Sequence, residues 1–151
     1  MTTFLLAVHV LAAIVAVGPV TVAASMFPPA ARRALADPED ARASAVVQTL
    51  HRICRVYAGV GVAVPVFGLA TAASLGVLRD GWLIASMILT ALAAVVLVVL
   101  VLPRQEALAG PGSPASPGAT RRLGMHTGLF NLLWATVTVL MIVRPGSTTG
   151  V

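Results

Sequence analysis

Four long apolar runs, none of which contains Asp, Glu, Lys or Arg, constrain this chain more than any other feature. They cover about residues 4–27, 56–78, 82–102 and 123–143. A helix needs about 20 predominantly apolar residues to cross the hydrocarbon core of a bilayer, which is about 30 Å thick. Each run meets that length. The sequence therefore predicts an all-α protein, a four-helix membrane bundle in which residues 1–151 form a single membrane domain.

The composition of the 151-residue chain excludes the soluble classes of protein. Hydrophobic residues make up 58% of it and charged residues only 10%, whereas soluble domains are about 45–50% apolar and about 25% charged. Disordered chains, coiled coils and disulfide scaffolds are excluded on the same ground. The single cysteine, Cys54, cannot form an intrachain disulfide, and we expect it to be a small apolar filler.

The basic residues of the chain are explained by membrane topology. All ten are arginines, and the net charge is +5. Each lies at or beyond the end of an apolar run, where membrane proteins carry the charges that set their orientation. We therefore expect a lipid bilayer as the partner of this chain and no nucleic acid.

The arginines are divided unequally between the two sides of the predicted bundle. Only Arg79 and Arg144 lie on one side. The other eight lie in or next to the first and third links: Arg32, Arg33, Arg42, Arg52, Arg55, Arg104, Arg121 and Arg122. Loops rich in arginine stay in the cytoplasm, so both termini are expected on the extracytoplasmic side. Arginine without lysine, with abundant alanine, valine, glycine and proline, indicates a high-GC bacterium and hence its inner membrane.

The link between the first and second runs contains a helix-start signal. Asp37 is the predicted N-cap, with Pro38 at the first helical position. A helix unbroken from there to Gly76 would be about 58 Å long at 1.5 Å per residue, nearly twice the hydrocarbon thickness. Residues 38–55 are therefore expected to form an amphipathic cytoplasmic extension. Its apolar face consists of Val46, Val47, Leu50, Ile53 and Cys54.

Prolines and short links divide the rest of the chain. Pro28 and Pro29 lack the backbone N–H that a continuing helix needs, so we expect the first helix to end there. Pro65 lies deep in the second run and is expected to kink it. Residues 79–81 leave room only for a tight turn, which predicts that the second and third spans are antiparallel neighbours. Residues 103–120 are rich in glycine, proline and serine and are expected to form a flexible loop.

Two features of the spans predict contacts between helices. Gly68, Ala72 and Gly76 recur at four-residue spacing and form a ridge of small residues that allows close approach. Asn131 lies in the fourth run, and we expect it to form a hydrogen bond between helices rather than to bind a substrate.

No motif of established chemistry occurs in the sequence. It contains no P-loop, no paired carboxylates, no His-Glu-x-x-His and no nucleophile elbow. No acid lies within a span, which argues against a transporter built on buried acids. Metal or haem ligation would then depend on three histidines, His9, His51 and His126.

His9 is the leading candidate site residue. An ionisable side chain within a span is energetically expensive, so it indicates a function. His9 lies about 8 Å into the first span, counted from Phe4 at 1.5 Å per residue. Ala12, Ala13 and Ala16 on the same face leave room for a flat ligand such as a porphyrin, or for a neighbouring helix. His9 is thus a candidate ligand of haem or copper, and the alternative is a core histidine that donates to a backbone carbonyl or a threonine.

The other two histidines are expected near the cytoplasmic face. A nitrogen–metal bond is about 2 Å long, so His9 cannot share a site with His51 or His126. The geometry allows a metal or haem site made by His51 and His126 together. The alternative is that both are interfacial residues beside arginine contacts to lipid headgroups.

Four arginines of the same side are candidates for binding lipid. Arg52 and Arg55 are one helical turn apart, and Arg121 and Arg122 are adjacent in the third link. Each basic residue near an anionic membrane surface contributes about 1 kcal/mol. The sequence therefore predicts that these four side chains bind anionic headgroups.

Two segments resemble a bacterial membrane-protein family. Residues 6–14 (LAVHVLAAI), followed by Gly18, resemble the opening segment of the predicted integral membrane proteins grouped as domain of unknown function 2269. Residues 140–145 (LMIVRP) are similar to the closing segment of that family. The resemblance implies a four-span fold over nearly the whole chain and brings no activity.

The first segment also resembles two other families. They are the copper-resistance-D-type membrane proteins and the haem-binding membrane family of protoporphyrinogen oxidase, in which a histidine of the first span is a haem ligand. By that likeness, His9 is the candidate ligand of this chain.

Three functions remain open from the sequence. The first is a membrane protein of no assigned activity that binds haem or copper through His9. The second is a non-catalytic accessory or interaction subunit of a larger membrane complex. The expected protein partners are accordingly further copies of the chain, in a homo-oligomer, or the subunits of such a complex. The third is a membrane enzyme that acts on a lipophilic substrate, and we expect a non-enzymatic role over this one.

Overall fold

Four long helices make up the protein. The computed structural model describes residues 1–110 and 117–146, and every regular element within them is helical. The helices are α1 (Thr2–Ala36), α2 (Ala41–Leu75), α3 (Gly81–Ala109) and α4 (Pro117–Val143). All four are long and apolar enough to cross a membrane. The predicted all-α class and the four membrane-length helices are thereby confirmed.

The helices form one main core and one smaller cluster. In the main core, α1 contacts α2 and α4, and α3 contacts α4. Its most deeply buried side chains are Ala24, Phe27, Ala31, Cys54, Ala93, Val101 and Leu123. The smaller cluster contains Ala72, Trp82 and Leu83, with Val77 and Met141 packed against it. It lies beside the turn from α2 to α3, where the guanidinium of Arg144 lies 5.4 Å from the centroid of the Trp82 ring.

The two ends of the bundle differ in charge. The arginine-rich end consists of the last turns of α1 and α3 and the first turns of α2 and α4. It carries the eight arginines Arg32, Arg33, Arg42, Arg52, Arg55, Arg104, Arg121 and Arg122. The α2–α3 turn, with Arg79, and the end of α4, with Arg144, lie at the opposite end.

The first helix is longer than the sequence predicts. It passes through Pro28 and Pro29 and ends at Ala36, so the predicted end at these prolines is wrong. The φ of proline is close to that of an α-helix, and only one backbone hydrogen bond is lost at each ring. Burial of Phe27, Pro28 and Ala31 among the other helices offsets that loss. Tertiary packing therefore outweighs the local stop signal.

The second helix begins later than predicted. Asp40, and not Asp37, is its N-cap, because the Asp40 Oδ1 accepts hydrogen bonds from the backbone N–H groups of Arg42 (2.9 Å) and Ala43 (3.2 Å). Asp37 instead ends α1, with its N–H bonded to the carbonyl of Arg33 at 3.2 Å. Because α1 continues to Ala36, Asp37 is its C-cap and cannot also be the N-cap of α2.

The amphipathic pattern of the first half of α2 is largely confirmed. Val47, Leu50 and Cys54 are buried in the main core, and Ile53 packs against it. Val46 is the exception, because 48% of its surface is exposed. The arginines of this half-helix lie on the exposed side.

A local break in α2 lies just before Pro65. The α-helical segments Ala41–Val60 and Ala63–Leu75 meet at Gly61 and Val62. The break places Pro65 in the first turn of the second segment, where backbone N–H groups have no partner within the helix. The kink predicted at Pro65 is therefore a break at Gly61 and Val62, one turn earlier. With the break there, the missing N–H of Pro65 costs no additional hydrogen bond.

The third helix continues through Pro103. Residues Val96–Val101 are π-helical, and a new α-helical segment, Leu102–Ala109, begins with Pro103 in its first two positions. Proline is well suited there because its missing N–H is not needed. The predicted loop over 103–120 is therefore wrong for 103–109 and for 117–120, which are helical. Residues 111–116 of that predicted loop lie outside the described part of the chain.

The turn between α2 and α3 is tight, as predicted, but the two helices do not stay close. Gly76 ends α2 in the left-handed conformation, with φ of 73°, which favours glycine. Beyond the turn, the second half of α2 packs against α1, and the close approach to α3 comes at the arginine-rich end, where Ala41–Val60 meets Leu102–Ala109. The prediction of neighbouring spans holds only at their ends, since α1 is the main partner of α2.

Candidate functional site

His9 joins α1 to α2. Its Nδ1 lies 2.9 Å from the carbonyl oxygen of Val64, and the side chain is half-buried. A bond to a backbone carbonyl is the one expected of a core histidine, the alternative to a ligand. The imidazole covers Gly68, where an added Cβ would lie 2.9 Å from His9 Cε1 and 3.1 Å from Nδ1. A side chain at this position would force the imidazole to shift, because real Cβ atoms essentially never approach so closely. The small-residue ridge predicted on α2 therefore contacts His9, the candidate ligand residue, at Gly68.

The hydrogen bond of His9 determines which ring nitrogen is free. A carbonyl oxygen only accepts, so Nδ1 carries the proton and donates to Val64. In the neutral imidazole, Nε2 then holds the lone pair. Nε2 has no hydrogen-bond partner among the described residues. Ligating histidines commonly show this arrangement, in which one N–H is fixed by a carbonyl and the other nitrogen is free to bind.

The space beside His9 is partly filled by protein. Ala16, two turns further along α1, is 1% exposed, whereas Ala12 and Ala13 are half-buried. The sequence predicted that this alanine face contacts either a flat ligand or a neighbouring helix. At its deeper part, around Ala16, a neighbouring helix covers it. Surface remains accessible next to the ring itself.

A second polar group lies near the arginine-rich end. Gln105 is fully buried, its Oε1 lies 3.4 Å from His51 Nδ1, and its Nε2 donates to Cys54 Sγ at 3.5 Å. One amide of α3 thus contacts two successive turns of α2. The burial of Cys54 confirms its predicted place in the core. Gln105 was missed in the sequence because it lies in the segment interpreted as a loop.

A third polar group lies between α1 and α4. Asn131 Nδ2 donates to Ser25 Oγ at 3.2 Å, which confirms the predicted hydrogen bond between helices. Within the part of the chain that the structure describes, three buried polar atoms of α4 have no hydrogen-bond partner: His126 Nδ1, Thr127 Oγ1 and Asn131 Oδ1. Thr127 is the most buried of the three residues, with 3% exposure. A buried water or a bound polar molecule would satisfy such atoms.

The three histidines do not form one site. His9 faces the second half of α2, and His51 faces Gln105. No hydrogen bond connects His51 with His126 in the described ranges. Within these ranges, no three His, Cys, Asp or Glu side chains converge in a way that could hold a metal ion. A site made by His51 and His126 alone needs only two ligands and stays a prediction.

The four predicted headgroup-binding arginines are exposed at the arginine-rich end. Arg52 and Arg55 lie on the outer face of α2, and Arg121 and Arg122 lie near the start of α4. Arg122 lines a shallow cavity, together with Arg104 of α3. The sequence did not single out Arg104, because it was assigned to a loop.

Comparison of the chain with models of protein families, with curated proteins and with solved structures finds no match in any of the three.

The contact between His9 and Gly68 leads to a stability prediction. We expect Gly68→Ala to lower the free energy of unfolding by about 1–3 kcal/mol, because the new methyl group displaces the imidazole. The measurement is reversible unfolding of the purified protein in mixed micelles. The matched control is Gly59→Ala on the same helix, where an added Cβ meets nothing within 4 Å.

The double variant His9→Ala/Gly68→Ala separates this contact from a general effect of alanine. In the His9→Ala background, Gly68→Ala should lose most of its cost, since the ring that it strikes is gone. If Gly68→Ala is as harmless as Gly59→Ala in the wild-type background, the close packing of His9 on Gly68 is refuted.

Proposed function

We propose that this chain is a multi-pass protein of the bacterial cell membrane that binds haem through Nε2 of His9. The bond of 2.9 Å from His9 Nδ1 to the Val64 carbonyl is also what a core histidine would form, so the observation that carries the proposal is the unpartnered Nε2 of this half-buried ring. That bond orients the ring and leaves the Nε2 lone pair without a partner in the described part of the chain. The resemblance of residues 6–14 to families with a first-span histidine also supports His9 as the ligand.

Haem fits the residues around His9 better than copper does. A haem iron needs only one protein ligand, since a single proximal histidine holds it in globins and peroxidases. A copper ion bound by protein needs several nitrogen or sulfur ligands, and the described residues bring no group of three or more His, Cys, Asp or Glu side chains together at His9. A haem held there would supply one-electron redox chemistry. The half-buried ring and the partly open alanine face are the surfaces that would contact it.

The proposed orientation places both termini on the extracytoplasmic side. The support is the arginine distribution, because eight arginines lie at one end of the bundle and two at the other. In this orientation His9 lies in the outer half of the membrane, and the arginine-rich end faces the cytoplasm.

The second candidate function is that of a non-catalytic accessory subunit. It is favoured by the close contact of His9 with Gly68. Packing between α1 and α2 is by itself a sufficient reason for a histidine in this span. In that case His9 stabilises the pair α1 and α2, and the protein acts through a partner in the membrane. The domain-of-unknown-function-2269 resemblance is compatible with either candidate.

Absorption spectroscopy of the detergent-purified protein after haem feeding distinguishes the two candidates. We expect a Soret band with about one haem per chain in the wild type and loss of the band in His9→Ala. His51→Ala and His126→Ala are the matched controls and should retain it. The folded state of each variant is checked by circular dichroism and size-exclusion chromatography.

Two results would contradict haem binding at His9. One is a featureless spectrum of the wild-type protein that co-purifies with a membrane partner, which would favour the accessory subunit. The other is a Soret band of equal intensity in folded His9→Ala, which would place the haem elsewhere.

The orientation is tested by thiol labelling of intact cells. In a Cys54→Ser background, we expect a membrane-impermeant reagent to label Thr3→Cys and Pro145→Cys but not Glu39→Cys. After the cells are opened, Glu39→Cys should also react. Labelling of Glu39→Cys alone in intact cells would reverse the proposed orientation.

A further inference from the structure

Two consecutive prolines lie in α1 where this helix packs against α4. Pro28 is buried, and its Cγ lies 3.9 Å from the position that a Cβ of Gly124 would take. The two helices therefore approach closely at this point. Because Pro28 and Pro29 have no N–H, two carbonyls of α1 lose their usual helical donors, those of Ala24 and Ser25. Inside a membrane, such carbonyls are satisfied by side chains of neighbouring helices or by ordered water.

One side of α4 is polar beside these prolines. Gly124, Thr127 and Asn131 are three and four residues apart, so they lie on the same side of the helix. Gly124 faces Pro28 of α1. Asn131 Nδ2 donates to the Oγ of Ser25, also in α1, at 3.2 Å. Thr127 lies between these two contacts and is 3% exposed, so its side chain is buried where α4 meets α1.

The hydroxyl of Thr127 differs from the other hydroxyls of the spans. In most of them the hydroxyl donates to the carbonyl four residues earlier, as in Thr71, Ser86, Thr90, Thr136 and Thr138. Within the described ranges, Thr127 Oγ1 has no hydrogen-bond partner, and neither has Asn131 Oδ1. A buried polar atom without a partner destabilises the folded state. These two atoms therefore need a partner that the described part of the chain does not supply.

A single water molecule matches the donors and acceptors at this position. Asn131 Oδ1 and the Ala24 carbonyl can only accept, whereas the Thr127 hydroxyl can donate. A water donates its two hydrogens to the two acceptors and accepts from the hydroxyl, which makes about three bonds, the usual number for a buried water. The Cβ atoms of residues four apart in a helix are about 5–6 Å apart. Two hydrogen bonds of about 2.8 Å through one water span that distance.

We propose that one water molecule is buried between α1 and α4, where it bridges Thr127 and Asn131 to the backbone of α1. This water satisfies the Ala24 carbonyl, which Pro28 leaves without a helical donor, and so allows α1 to continue through a proline inside the membrane. His126 does not belong to the site, because it lies about 140° around α4 from Asn131 at about 100° per residue. The proposal is also independent of haem binding at His9.

The test is water-edited solid-state NMR of the isotope-labelled full chain in lipid bilayers, which measures how fast magnetisation passes from water to each side chain. We expect the side-chain signals of Thr127 and Asn131 to receive it severalfold faster than those of Thr90. Thr90 is the internal control, because it also lies within a span and its hydroxyl is bonded to the Ser86 carbonyl at 2.7 Å. Transfer to Thr127 and Asn131 that is no faster than transfer to Thr90 would overturn the proposal.

Variants of similar shape test whether the two residues hold the same water. Thr127→Val removes the hydroxyl and should abolish the fast transfer to Asn131, and Asn131→Leu should abolish it at Thr127. Thr127→Ser is the matched control, since it keeps the hydroxyl and should retain the fast transfer. Circular dichroism and size-exclusion chromatography check that each variant is folded, and if Asn131→Leu is not, the two variants of Thr127 decide. Fast transfer to Asn131 that persists in folded Thr127→Val would refute a shared water.

Discussion

In the hydrocarbon core of a bilayer, a backbone N–H or C=O has no water to bind and must find its partner within the protein. That constraint accounts for the four long helices and for the way Pro65 and Pro103 are accommodated. The segment of α2 from Ala63 places Pro65 in a first turn, and the segment of α3 from Leu102 does the same for Pro103. In both helices a new α-helical segment begins just before the proline, so the missing proline N–H is not needed.

Side chains of the spans obey the same constraint. Hydroxyl groups donate to backbone carbonyls one turn earlier, at 2.7–2.9 Å, in Thr71, Ser86, Thr90, Thr136 and Thr138. His9 satisfies its Nδ1–H on a carbonyl too, but that carbonyl belongs to another helix. One hydrogen bond therefore links α1 to α2, orients the imidazole and sets the nitrogen that is free. Gly68 makes the approach possible because it lacks a side chain.

The sequence predicted the helices better than their ends. Apolar run length and period predicted four helices and the buried side chains Val47, Leu50 and Cys54 of α2, because burial acts along the whole length of a helix. The ends at Pro28 and Asp37 were predicted wrongly, since a local cap or stop signal is worth only about 1–3 kcal/mol. Packing of Phe27 and Ala31 against other helices exceeds it.

The candidate sites were predictable in part. His9, Gly68 and Asn131 were found because polar or small residues stand out within an apolar span. The partner of His9 could not be deduced, since a backbone carbonyl has no sequence signature. Gln105 was missed because it follows Pro103, and the sequence there resembles a loop. Its position depends on a helix that tertiary contacts with α2 and α4 hold in place.

The tautomer of His9 is the most direct test of this account. The measurement is the ¹⁵N NMR spectrum of protein labelled with ¹⁵N-histidine in bilayers. The double variant His51→Asn/His126→Asn leaves His9 as the only histidine. The account predicts a protonated Nδ1 and an unprotonated Nε2. A proton on Nε2 with a bare Nδ1 would contradict it, because the bond to the Val64 carbonyl and the free ligand nitrogen would both be absent.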